Sequence, residues 1–305
     1  MVSGLQVPRR GLGLGAAALL AMGAAPVPAP VAIPRSLYWD LPVGEGGWRV
    51  QVGWPETEPP PSGFPVLYLL DGNAHFGTAV EAIRLQARRG DVTGVRPGVI
   101  VALGYPTDDA ATIMRRRQRD YTPPAAGAPP GSGGADAFLD ALAGQVMPRL
   151  AAAFPVDAAR QAIFGHSYGG LCVLHALFTR PGLFARHVAA SPSIWWHDTA
   201  VLHSARRFID HPPPGTAGRG VLITVGGLEQ PPPGPVAPGE DAHTGRLRMA
   251  RMVDRARDLA QRLAEMGENG PQVEFVTFAG ETHGSVVPAA ISRAMRFVFP
   301  AEMGR

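Results

Sequence analysis

"AIFGHSYGGLCVLHALF", residues 162–178, decides how this chain is read. A short apolar run leads into Gly165-His166-Ser167-Tyr168-Gly169, and Gly170 and a longer apolar run follow. The five-residue pattern G-x-S-x-G arises often by chance. Its setting here, with a strand-length run before and a helix-length run after, makes it specific. A sharp strand-to-helix turn brings two backbones close together, and glycine is the residue without a Cβ to clash. Such a turn lifts the Ser167 hydroxyl to the carboxyl end of a sheet, over a helix N-terminus. Ser167 is therefore read as a nucleophile. His166, in the variable position of the turn, is a candidate substrate contact.

The rest of the chain supplies a matching frame. "FPVLYLLDG" (64–72), "GVIVALGYP" (98–106), "QAIFG", "HVAASP", "VLITVGG" (221–227) and "VEFVTFAG" (273–280) are short apolar runs of the kind buried parallel strands show. "SLYWDLP" and "WRVQVGWP" read as a leading antiparallel pair. Between the runs lie helical patterns. One is capped by Asp136, carries Phe138, Leu142, Val146, Leu150 and Phe154 on a face, and stops at Pro155. Another is a single helix over 246–267 with Leu247, Ala250, Val253, Ala256, Leu259 and Leu263 aligned and Gly267 at its end. Strand–helix alternation predicts an α/β fold with a mostly parallel central sheet and helices on both faces. Proline-rich stretches at 55–63, 122–134, 211–215 and 231–239 read as loops rather than linkers, so residues 33–305 are expected to form one domain without a large separate lid.

Residues 1–32 are read as an export signal. Arg9-Arg10 precede "GLGLGAAALLAMGAA", and small residues in "APVPAPVA" offer cleavage points. The arginine pair suggests a twin-arginine type of signal and a periplasmic or secreted product. Without it, 26 basic residues face 25 acidic ones, a balance that argues against a nucleic-acid partner. Beyond the N-terminus no run of 18 apolar residues predicts a membrane span. The lone Cys172 forms no internal disulfide, and its helical setting reads as buried packing.

A serine hydroxyl needs a base, and in folds with this turn the partners follow in the order serine, acid, histidine. His283 sits in "FAGETHGSVVP", just past the run ending at Phe278. Glu229 follows "VLITVGG" by two residues, where the acid emerges. Glu240, Asp241 and Asp254 are rivals, and a Ser–His dyad stays open. Oxyanion donors are expected from the backbone N–H of Tyr168 and from Asn73 or Gly72 after "LYLLDG". No metal or organic cofactor is implied.

Taken together, "VLYLLDGNAHF", "RRRQRDYTPP", "FGHSYGGL", "ASPSIWW", "ITVGGLEQ" and "GETHGSVVPAAISRAMRFVF" resemble the esterase D-like family of α/β-hydrolases. Within it they are most similar to siderophore esterases of the enterobactin and salmochelin type. The resemblance implies a serine esterase that works through an acyl-enzyme, with Ser167 and His283 carried over directly. It implies a small-molecule ester substrate, with a ferric siderophore or catecholate trilactone as one candidate. An acyltransferase on the same fold, or a non-catalytic ferric-siderophore-binding protein, are the rival readings. Arg115, Arg116, Arg117 and Arg119 could pair with and stack on an anionic aromatic ligand, with Arg115 and Arg119 as the named contacts. A solvated helix face with Asp120 as partner explains the same run. Trp195 and Trp196 could line an aromatic pocket, or pack in the core.

Overall fold

A computed structural model of the chain describes residues 30–234 and 239–301. Most of the export signal read at 1–32 lies outside the described residues. From Arg35 onward the described residues form one compact unit. Among them no helix is long and apolar enough to cross a membrane.

Eight strands form one sheet: β1 (Ser36–Leu41), β2 (Trp48–Gly53), β3 (Phe64–Leu70), β4 (Val99–Gly104), β5 (Val156–His166), β6 (Arg186–Ala190), β7 (Gly220–Gly226) and β8 (Gln272–Phe278). Their spatial order is β1-β2-β4-β3-β5-β6-β7-β8. β1 and β2 pair antiparallel, as does β2 with β4, and β4 through β8 run parallel. β3, β4 and β7 are buried at every position, which explains their continuous apolar sequences. β5 begins five residues before "QAIFG", in a half-exposed stretch that pairs with β3 through a register shift and carries no strand pattern.

Alternation along β3 divides the core. Val66, Tyr68 and Leu70 pack with Leu171 and Leu174 of the helix Tyr168–Thr179. Leu67 and Leu69 point to the other face. There the helix Gly72–Ala87 lies against β4 and the helix Val286–Val298 against β7 and β6, each touching the other. Helices on both faces of a mostly parallel eight-stranded sheet are the α/β architecture the sequence predicts.

Two helices depart from the sequence pattern. The segment from Ala135 to Ala153 contains a π-turn at Leu142–Val146. Steps of four along 138, 142, 146 and 150 drift around an α-helix, and the wider π-turn keeps all four buried. Pro148 lacks the N–H an α-turn would use and crowds the carbonyl four residues back. Gly134, not Asp136, is the N-cap; Asp136 instead receives Arg180 and lies 3.0 Å from His175 Nε2. The helix read over 246–267 is two helices, Ala242–Ala250 and Met252–Ala264, separated by Arg251 at φ 45°. The first buries no residue, so nothing holds it in line with the second.

The chain passes from β3 outward to β4 and later returns to β5 on β3's other side. That reversal opens a crevice at the carboxyl ends of β3 and β5, where parallel sheets of this kind hold their ligands.

Candidate active site

Ser167 follows β5 directly, at φ 61° and ψ −116°. A Cβ on Gly165 would lie 2.2 Å from the Gly169 carbonyl oxygen, and one on Gly170 2.8 Å from that of Ala190. Those two glycines allow the turn. Gly169 has ordinary space, with nothing nearer than 3.5 Å to its missing Cβ. The helix that follows is buried from Gly169 to Phe178, so it fixes Ser167 from beneath.

The loops after β5, β7 and β8 bring the expected groups together. His283 Nδ1–H donates to Glu229 Oε2 at 2.7 Å, which leaves Nε2 to accept from Ser167 Oγ at 3.0 Å. Glu229 is 1% exposed, and its other oxygen accepts from Gly226 N–H at 2.6 Å and Ser191 Oγ–H at 2.5 Å. The acid and base loops are tied backbone to backbone: Gly227 N–H donates to Phe278 O and Leu228 N–H to Glu281 O. A Cβ on Gly226 would lie 2.4 Å from that Glu281 oxygen. The rival acids are engaged elsewhere. Glu240 binds Arg248, Asp241 caps the helix Ala242–Ala250, and Asp254 binds Gln230 and Arg251.

The oxyanion candidates lie on the β3 side of the crevice. Tyr168 N–H opens its helix, where no intrahelical acceptor is available. Asn73 lines a cavity of about 380 Å³ together with Ser167, His283 and Arg117. Its side chain is wholly used: Nδ2 donates to Tyr105 O and Thr107 O, and Oδ1 accepts from Tyr105 N–H. Only its backbone N–H remains for a ligand. Gly72 sits deeper; a Cβ there would lie 3.0 Å from the Leu103 carbonyl carbon, and the residue does not line the cavity.

The arginine run divides between its two readings, with Arg115 and Arg119 on the side of a solvated helix face partnered by Asp120. Arg115 is exposed and bonds only Thr112, and Arg119 is taken by Asp120 and Glu45. Arg116 stacks on Tyr105 and donates to the Gly46 and Gly47 carbonyls. Neither Arg115 nor Arg119 lines the cavity; Arg117 does. It is clamped on Asp71 by two hydrogen bonds of 2.6 and 3.0 Å and reaches the His166 carbonyl at 3.3 Å. Burial pulls the Arg117 guanidinium down, but Asp71 outweighs this and holds it above the usual arginine value. Asp71 and Arg117 escape a pattern search because they are 46 residues apart and join only when the turn after β3 meets the helix Ala110–Tyr121.

His166 is mostly buried, with its ring 4.5 Å from that of His283 and 6.3 Å from that of His75. Burial, and then His283, push its pKa down to about 3, so it is neutral beside His283. Burial also lowers His75. Trp196 is 3% exposed and belongs to the core, which removes it from the substrate contacts. Trp195, 39% exposed, lines a larger cleft of about 810 Å³ that reaches His283. The far wall of that cleft is the helix Ala242–Ala250, with Arg246 and Met249, and Arg255 beyond the break. Among the described residues no group of three His, Cys, Asp or Glu side chains could hold a metal ion.

Comparison with known proteins places the chain in a family. The family model described as "Esterase: Putative esterase" matches residues 45–246. Ferri-bacillibactin esterase BesA of Bacillus subtilis is 38% identical over 260 residues, 82% of this chain and 84% of that protein. The siderophore triacetylfusarinine C esterase of Aspergillus fumigatus is 39% identical over 287 residues, 91% and 97% of the two chains. Among solved structures, the BES protein from Bacillus cereus superposes with a TM-score of 0.78 at 31% identity, covering 91% of this chain and 99% of its own.

Proposed function

The chain belongs to this esterase family and is a carboxylic ester hydrolase, and on that premise we propose that Ser167 is its nucleophile, His283 its base and Glu229 its acid. The observation that carries this is the unbroken hydrogen-bond chain from Ser167 Oγ through His283 to Glu229.

Ser167 Oγ attacks the ester carbonyl carbon while His283 Nε2 takes its proton. The tetrahedral oxyanion is held by the backbone N–H groups of Tyr168 and Asn73. Collapse expels the alkoxide, which receives the proton from His283 and leaves as the alcohol. Water then attacks the acyl-enzyme, giving its proton to His283, and the second collapse frees the carboxylic acid and returns the proton to Ser167. Glu229 holds the tautomer that presents Nε2 to the hydroxyl and stabilises the imidazolium of each step.

The substrate we infer is a siderophore ester, with a catecholate trilactone favoured over a neutral ligand. Two relatives are esterases of siderophores by name. The cleft beside His283 also offers an aromatic face at Trp195 and guanidinium groups at Arg246 and Arg255, a match for anionic aromatic groups.

Ser167→Ala should lower turnover of p-nitrophenyl esters by at least about 10³-fold, and a fluorophosphonate should label the wild type at Ser167 alone. Undiminished turnover by the variant would refute the assignment. Ligand binding without labelling would describe a binding protein instead.

A further inference from the structure

Ser191 follows β6 in a turn pressed between β7 and the helix behind Ser167. It is fully buried, at φ 43°, and its N–H donates to Thr224 O at 2.7 Å. Glycine enters left-handed backbone freely, whereas other residues do so against strain. A serine kept there implies a use for its side chain, and strain of this kind collects at functional sites.

The use is visible at Glu229. This buried carboxylate has three donors: His283 on Oε2, and Ser191 Oγ–H and Gly226 N–H on Oε1. Two donors on one oxygen fix the plane of the carboxylate and aim the other oxygen at His283 Nδ1. Ser191 is itself closed to solvent, so water has no open route to replace its hydroxyl. The same turn also grips the nucleophile. Ser193 N–H donates to Ser167 O at 3.1 Å, and the two hydroxyl oxygens are 3.3 Å apart. Gly170 brings the helix against the turn, since a Cβ there would be 3.0 Å from Pro192 Cα.

We propose that Ser191 is a positioning residue for hydrolysis: its hydroxyl, 2.5 Å from Glu229 Oε1, holds the acid in the orientation that His283 requires. Its hydroxyl bonds Glu229, and it lines neither cavity at His283. The inference rests on the assignment of Ser167, His283 and Glu229.

Two substitutions separate positioning from packing. Ser191→Gly removes the hydroxyl and relieves the backbone, while Ser191→Ala removes the hydroxyl and keeps the strain. Glycine should melt within roughly 4 °C of wild type and alanine lower. Both should lose roughly 10–100-fold in kcat/KM, as expected for a hydrogen bond to a charged group. The loss should fall on kcat, with KM unchanged. A glycine variant with kcat and kcat/KM within threefold of wild type overturns the proposal. So does a loss that follows melting temperature, severe in alanine and absent in glycine; either variant that folds gives a reading. Failure of the parent assignment looks different, since Ser167→Ala would then stay active whatever Ser191 does.

Discussion

Gly165 and Gly169 hold the two ends of the same pattern, yet only Gly165 faces a backbone atom its side chain would overlap. Gly165→Ala should destabilise the fold by about 1–3 kcal/mol or more, because the clash is with main chain that cannot rotate away. Gly169→Ala, inside a helix with ordinary space, should stay within about 0.5 kcal/mol of wild type. Thermal melts of the two variants check this, and equal losses would count against it. At this scale the hydrogen-bonded grouping of Ser167, Glu229 and His283 is legible in the sequence, because each sits just beyond a readable apolar strand. The lining of the cavity is less so. Four arginines within five residues give no phase of their own; only the helix face shared by Met114, Arg117 and Tyr121 shows that Arg117 meets the site.

Among the elements, the break at Arg251 matters most. A regular apolar spacing runs through 246–267 and reads as one helix, but Leu247 and Ala250 are only half-buried while Val253, Ala256, Leu259 and Leu263 are core. The periodicity records two faces with different partners: the second helix packs on β7 and β8, and the first walls the cleft. Met249 is 77% exposed there, in reach of a ligand rather than of the core. Replacing Arg246 and Arg255 together by alanine should raise KM for an anionic catecholate ester by roughly tenfold or more, as for lost charge-assisted hydrogen bonds. Hydrolysis of a neutral p-nitrophenyl ester should hardly change. Equal effects on the two substrates would remove these arginines from recognition. Arg115→Ala and Arg119→Ala serve as the comparison, since neither side chain lines either cavity.

For the whole molecule, buried histidines set the response to acid. His187 on β6 is completely buried, and burial, followed by Arg219, pushes its pKa down to about 3 from the ordinary 6.5. His166 is lowered to about 3 as well. The folded protein therefore takes up these protons later than the unfolded chain as pH falls. Stability is intact above about 6.5 and declines from there toward 3, at up to about 1.4 kcal/mol per pH unit for each histidine. Melting temperatures from pH 8 to pH 4 should fall less steeply for His187→Leu than for wild type; parallel curves would sink the idea. Neither histidine announces this in sequence, because burial on both faces of a central strand is a property of the finished sheet.

The strand order carries a consequence in time. His283 lies beyond β8, an edge strand whose strand partner is β7, and is 116 residues from the serine it is hydrogen-bonded to. On the proposed assignment, a ribosome delivers the nucleophile and the acid well before the base. The growing chain thus carries an elbow with nothing to draw off its proton until β8 has been made and has docked. Turnover is in that sense a completion signal, reporting that the last strand has found its place.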